Sequence, residues 1–241
     1  MAESTLRIGL VLPDVMGTYG DGGNALVLRQ RARMRGIDAE IISINLTDPV
    51  PESLDVYTLG GAEDYAQRLA TRHLTRYPGL QRAAEAGRPV LAICAAIQVL
   101  GHWYETSAGE RVAGISMFDL TTVPQDKRSI GELITEPAVD SGLTKPLTGF
   151  ENHRGGTTLG SDARPLARVK HGVGNGGGEK IEGAIQGSVI GTYLHGPALA
   201  RNPELADLLL SRALGVDELD ALPLPEVELL RRERLAAGRR G

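Results

Sequence analysis

Along the first 105 residues, short apolar runs alternate with amphipathic ones. "LRIGLVLP" (6–13) is nearly continuous in apolar residues and predicts a buried first strand. The loop "DVMGTYGDGGN" follows it. "ALVLRQRARMRG" then predicts a helix, with Gly23 or Asn24 as its cap and Gly36 as its stop. "IDAEIISIN" (37–45) alternates like a second strand, and "DVYTLGG" (55–61) is a third that ends on paired glycines. "EDYAQRLATRHL" and "PGLQRAAEAG" read as helices, the latter stopped by Gly87. "RPVLAI" is the fourth strand and "AAIQVLGHWY" the helix after it. Alternation of this kind predicts an α/β fold with a parallel sheet and helices on both faces.

The pattern changes between residues 111 and 195. Glycines recur between short β-like runs: "GISMFDLTTV", "LTGFENH", "LARVKHGV" and "EGAIQGSVIGTYLH". These predict antiparallel extensions of the same sheet. "GNGGGEK" (174–180) reads as a flexible loop. "NPELADLLLSRALG" (202–215) predicts a closing amphipathic helix started by Asn-Pro. No repeat or linker divides the chain, so residues 1–215 form one domain in this reading. Residues 216–241 are a basic tail, helical in part, with "LLRRERLAAGRRG" expected to fray.

Composition narrows the setting. The 241 residues are 41% hydrophobic and 23% charged, which suits a water-soluble globular domain. A net charge of −4 supplies no general attraction to nucleic acid or anionic lipid. "MAESTLRIGLVLPD" lacks the basic start of a signal peptide, and no run approaches a membrane span. A single cysteine forms no internal disulfide, so a reducing cytoplasm is the expected compartment.

That one cysteine, Cys94 in "RPVLAICAAIQVLG", carries the candidate chemistry. In an apolar stretch a lone cysteine often only fills space. Here it falls where a predicted strand gives way to a helix, and Ala95 and Ala96 are small enough for a sharp turn. A helix N-terminus also supplies free N–H groups and favours a thiolate. A thiol acting on an acyl group needs a base. Of the five histidines none forms a metal-binding pair. His195 closes the strand-like "SVIGTYLHG", and His153 in "FENHRGG" is the rival. Oxyanion donors are available in the Ala95 N–H and in Gly60 or Gly61 of "LGGAEDY".

These pieces together resemble a known family. "ICAAIQVLG", "GGAED", "GFENHRGGT" and "GTYLHGP" look like the glutamine amidotransferases of the cobyric acid synthase type. "LPDVMGTYGDGGNALVLRQRARMRG" and the chain length narrow the resemblance to glutaminase subunits of lipid II isoglutaminyl synthase, over about residues 6–212. The resemblance implies a flavodoxin-like class I amidotransferase fold. Cys94 would attack the side-chain amide of glutamine and His195 would carry the proton. Gly61 and Ala95 would hold the oxyanion, Gln98 and Gly60 would line the substrate pocket, and Arg128 in "PQDKRSIGEL" would grip the substrate carboxylate. No metal is expected in this chain. ATP and magnesium would bind a Mur-ligase-like (MurT-like) partner forming a heterodimer with it. That partner would amidate the D-glutamate of lipid II to D-isoglutamine.

Two departures stand out. Alanines follow the nucleophile where the family often has glycines. His195 is followed by Gly196 and Pro197, so no carboxylate sits two residues on; either a dyad suffices or the partner supplies the acid. "GTYGDGGN" lacks the lysine of a phosphate loop and reads as a cap or a partner-facing loop. The alternatives are the glutaminase of a cobyric-acid-type or other small-molecule amidotransferase, and a non-catalytic relative that keeps the fold for binding.

Overall fold

The computed structural model describes residues 5–238. Its first part is β1 (Leu6–Val11), α1 (Gly23–Arg33), β2 (Ala39–Ile44), β3 (Val56–Leu59), α2 (Asp64–Arg76), α3 (Gly79–Glu85), β4 (Val90–Ile93) and α4 (Ala95–Leu100). The middle holds β5 (Trp103–Glu105), β6 (Arg111–Ala113), β7 (Leu120–Pro137), β8 (Leu147–Leu159), β9 (Ala167–His171) and β10 (Ile181–Glu182). β11 (Ala184–Gln186), β12 (Val189–Thr192), α5 (Ala198–Arg201), α6 (Pro203–Leu214) and α7 (Pro225–Gly238) complete it.

The expected parallel sheet is present, in the order β11-β12-β4-β3-β1-β2. All its pairings are parallel except that of β11 with β12. Read from β2, five of these strands follow the doubly wound order of flavodoxin-like folds, in which ligands bind at the carboxyl ends of the strands. β3 and β4 are buried at every position, as strands covered on both faces must be. Around them α1 packs with α6, and α2 with α4.

The middle region departs from expectation. Apart from β11 and the parallel β12, its strands do not extend the first sheet but form a second one, β10-β9-β7-β5-β6, with β8 paired to β7. β7 and β8 make a long antiparallel ladder whose register shifts between Pro124 and Ser129, so residues 125–128 leave it. The helix expected over 95–104 ends at Leu100, because Trp103 and Tyr104 pair with β6 and β7 instead. The loop 174–180, expected to be flexible, is pinned by Asn175. That residue is fully buried, and its side chain exchanges two hydrogen bonds with the Gly183 backbone at 3.0 and 2.6 Å.

The tail is helical, as expected, but is fastened to the domain within the described residues. It forms α7, and Arg231 of that helix is buried and donates to the carbonyls of Arg201 and Pro146. Helix α6 matches its prediction: Asn202 and Pro203 open it, and Gly215 closes it in the left-handed region at φ 67°. Such a C-terminal position favours glycine, which has no Cβ to clash.

Candidate active site

Cys94 stands between β4 and α4. Its N–H donates to the Thr192 carbonyl of β12 at 2.9 Å, and its own carbonyl accepts from Ile97 N–H at 2.9 Å to start the helix. Strand pairing on one side and helix on the other force the chain to reverse at this one residue. Its φ is +53°, a conformation that costs a non-glycine residue about 1–2 kcal/mol. The surrounding sheet and helix hold that strain and aim the sulfur into a cavity of about 270 Å³ beyond the strand ends.

The surroundings of the thiol disfavour its ionisation. Burial and then the nearby Asp21 carboxylate push its pKa up from 9.0 to about 12, against a smaller opposing effect of the Ala95 N–H. The site therefore needs a base at the moment of attack.

His195 follows β12, and its position comes from both sheets. Its N–H donates to the Phe150 carbonyl of β8 at 2.9 Å, so the segments "GFENH" and "GTYLH" pair with each other. The imidazole is buried. Nδ1 lies 3.0 Å from Asp21 Oδ1, and Nε2 has no hydrogen-bond partner among the described residues. An ionised carboxylate only accepts, so Asp21 places the ring proton on Nδ1 and leaves the Nε2 lone pair free. The absence of an acid after His195 is thus made good within the chain.

Asp21 sits in the "GTYGDGGN" loop, which packs inward and is not simply a cap or a partner-facing surface. Three contacts fix it. Asp21 Oδ2 accepts the Gly61 N–H at 2.8 Å. Asn24, expected as a cap, lies inside α1 and is wholly buried; it donates to the Asp21 carbonyl and accepts from Leu199 N–H, joining the loop to the segment after His195. Gly60 lets the loop approach, since a Cβ there would stand 2.2 Å from the Met16 carbonyl oxygen.

These contacts change the expected roles of the paired glycines. The Gly61 N–H is engaged by Asp21 and is not free for an oxyanion in this arrangement. Gly60 does not line the cavity with Cys94 and instead serves as the point of close backbone approach. Ala95 and Ala62 do line it, and the Ala95 N–H already faces the Cys94 sulfur closely enough to favour its thiolate.

Gln98 and Arg128 both reach the same cavity. Gln98 is buried, with Oε1 accepting from Gln67 Nε2 at 3.2 Å and Nε2 near the Tyr193 hydroxyl at 3.4 Å. Arg128 belongs to the residues of β7 that have no pairing partner in β8. Its Nε donates to Asn152 Oδ1 at 2.7 Å and its Nη2 to the Tyr19 hydroxyl at 3.1 Å. His153 lines the cavity as well, stacked on Tyr193 with ring centroids 4.0 Å apart. Its Nδ1 is bonded to the Gly155 carbonyl at 3.0 Å, and Asp21 pairs with His195 rather than with it.

Asp21, Tyr19 and Gln67 were not singled out by the sequence. The one local sign of Asp21 was a carboxylate between glycines in the loop after the first strand, where α/β folds build sites.

A buried thiol, the Ala95 N–H and an arginine on one small cavity, with an imidazole oriented by a carboxylate behind Tyr19, suit nucleophilic attack on a small amide. Over 210 residues the chain is 37% identical to the lipid II isoglutaminyl synthase (glutamine-hydrolyzing) subunit GatD of Staphylococcus aureus, covering 86% of this chain and 84% of that one. The corresponding subunit of Streptococcus pneumoniae is 32% identical, covering 96% and 89%. A solved structure titled as the glutaminase domain of Trypanosoma brucei CTPS with bound acivicin shares the fold at a TM-score of 0.55 and 10% identity, covering 92% of this chain and 99% of that one. The family of CobB/CobQ-like glutamine amidotransferase domains matches residues 7–203, most of the chain. With these relatives and that match, the chain belongs to the CobB/CobQ-like glutamine amidotransferase family.

Proposed function

We propose that this chain is the glutaminase subunit of a lipid II isoglutaminyl synthase, hydrolysing L-glutamine and passing the ammonia to a Mur-ligase-like partner. The carrying observation is Cys94 on the wall of a cavity that Arg128 and Tyr19 also line, with the His195 ring packed on Tyr19 and hydrogen-bonded to Asp21. His195 Nε2 takes the Cys94 proton as the sulfur attacks the side-chain carbonyl carbon of glutamine. The developing oxyanion accepts from Ala95 N–H, with the Ala62 N–H next to Gly61 as second donor. The imidazolium returns its proton to the departing nitrogen, which leaves as ammonia, and a γ-glutamyl thioester remains. A water deprotonated by His195 then cleaves the thioester to glutamate and restores the thiol.

The acceptor reading rests on the two GatD relatives, which cover most of both chains. A cobyric acid synthase of Pelotomaculum thermopropionicum is 34% identical over 209 residues, but the match spans only 38% of that protein. In this reading ATP and magnesium belong to the partner, where they activate the α-carboxyl of the stem-peptide D-glutamate. The two subunits form a heterodimer in the cytoplasm. Among the described residues no helix is long and apolar enough to cross a membrane.

The test is to co-express the chain with a Mur-ligase-like protein and assay the purified complex with L-glutamine, ATP, magnesium and lipid II. Glutamate and amidated lipid II are expected in equal amounts, and neither with Cys94→Ala. Glutamine hydrolysis without amidation of lipid II would move the acceptor to the cobyric-acid-type alternative.

A further inference from the structure

Away from the Cys94 cavity, helix α2 and strand β6 enclose a groove of about 530 Å³ lined by four arginines and one carboxylate. Arg68, Arg72 and Arg76 recur at four-residue spacing along α2, so they share one face of the helix. Arg111 of β6 stands across from them. The carboxylate, Glu110, is taken up by Arg68: Nη1 donates to Oε1 at 2.8 Å and Nη2 donates to Oε2. Of the four cations, Arg68 alone has a carboxylate partner among the described residues. Arg72, Arg76 and Arg111 are exposed.

Two of these three cations are braced. The Arg111 guanidinium lies 3.7 Å over the ring centroid of Trp103, and that of Arg76 lies 5.2 Å from the centroid of Tyr77. An arginine laid on an aromatic face keeps its plane and turns its N–H edge outward. The walls of the groove are tied as well. Asp64 in the first turn of α2 accepts from the N–H and the hydroxyl of Ser107, in the turn between β5 and β6. The Arg68–Glu110 pair joins the same two elements one turn farther on. Positive charge gathered in a fixed groove, in a chain whose net charge is −4, makes a local field that an anion relieves.

The geometry points to a binding site for a diphosphate group in this groove, held by Arg72, Arg76 and Arg111. Arg72 and Arg76 are about 6 Å apart along the helix axis. Two phosphoryl groups joined through one oxygen can each meet one of these forks, with Arg111 approaching the pair from β6. A single carboxylate would meet one fork and leave two cations unpaired. Four guanidinia against one carboxylate leave three positive charges in surplus, which suits a compact polyanion. None of the three arginines lines the catalytic cavity, so the site is independent of the glutaminase reading.

Trp103 is the single tryptophan of the chain, so its emission reports the groove. The experiment titrates inorganic pyrophosphate into the full chain, following Trp103 fluorescence and, as a second measure, the heat of binding. Saturable binding of one pyrophosphate per chain is expected, at least tenfold tighter than that of inorganic phosphate. Arg72→Gln and Arg111→Gln should each weaken it about tenfold, the loss of one charge-assisted contact. Arg168→Gln, at an exposed position of β9 outside the groove, should leave it unchanged. Circular dichroism checks that each variant keeps the wild-type fold. A nucleoside diphosphate, and an isoprenyl diphosphate in phosphatidylcholine vesicles, then separate a soluble source of the group from a lipid headgroup; tighter binding of either than of pyrophosphate supports the site and names the source. Absence of saturation overturns the assignment, as does equal affinity for phosphate and pyrophosphate. An equal loss in Arg168→Gln overturns it too, since binding would then follow surface charge in general.

Discussion

Asp21 and His195 are 174 residues apart in the chain and meet through a hydrogen bond of 3.0 Å. Both side chains are almost completely buried, and the same carboxylate holds the Gly61 N–H with its second oxygen. One short acid thus orients the imidazole and fastens two loops at the ends of neighbouring strands. Its replacement should be costly in turnover. In Asp21→Asn the amide can present an N–H to Nδ1, which favours the wrong tautomer. Glutaminase kcat should fall roughly 10²–10⁴-fold with KM nearly unchanged. A loss under threefold would show that the pair is structural only.

Which histidine is the base follows from the same bond. His195→Ala should reduce kcat over that range. His153→Ala should act mainly on KM, since its ring packs Tyr193 beside Gln98 and the cavity wall. Steady-state kinetics of the two variants separates these roles, and a dead His153→Ala beside a near-normal His195→Ala reverses them.

Reactivity of the thiol should report its burial. Desolvation and the Asp21 charge disfavour the thiolate, raising the Cys94 pKa to about 12. Alkylation by iodoacetamide follows the thiolate fraction. Its rate should therefore climb through pH 7 to 10, about tenfold per pH unit, without levelling. A plateau near neutral pH would reveal a resting thiolate–imidazolium pair.

The close approach at Gly60 makes a steric prediction. A methyl group 2.2 Å from the Met16 carbonyl oxygen cannot be accommodated without moving backbone on one side or the other. Gly60→Ala should displace the loop bearing Asp21 and lower kcat by at least tenfold, the same order as loss of the acid. Kinetics with circular dichroism checks this, the far-ultraviolet spectrum remaining that of the wild type.

Glu182 should make stability depend on pH. It is wholly buried, accepts from the Thr192 hydroxyl and the Tyr193 N–H, and leaves Oε2 without a partner among the described residues. Burial raises its pKa from 4.5 to about 7, so the folded protein holds this proton more tightly than the unfolded chain. The resulting stability is fully present below pH 4.5 and is lost as pH rises through about 7. It amounts to something on the order of 3 kcal/mol. Denaturation midpoints should fall across this window in the wild type relative to Glu182→Gln. A constant difference between the two proteins would refute it.

What the sequence determined by itself is what short-range physics writes locally. Periodicity in "LRIGLVLP", "DVYTLGG" and "RPVLAI" fixed the parallel strands, and the Asn-Pro start and Gly215 stop fixed α6. The place of Cys94 between strand and helix was legible for the same reason, because both flanks have their own pattern. The tertiary structure alone decided the partner of His195. Asp21 lies in a glycine-rich loop with no periodicity, and its place depends on Gly60 packing, on Asn24 bonding across to Leu199 and on β8 holding His195. It also decided that the middle strands form a second sheet, since β-like alternation does not say which neighbour a strand will pair with. Arg128 reaches the cavity from residues 125–128, a stretch of β7 without partners in β8 for which the sequence pattern predicted no element.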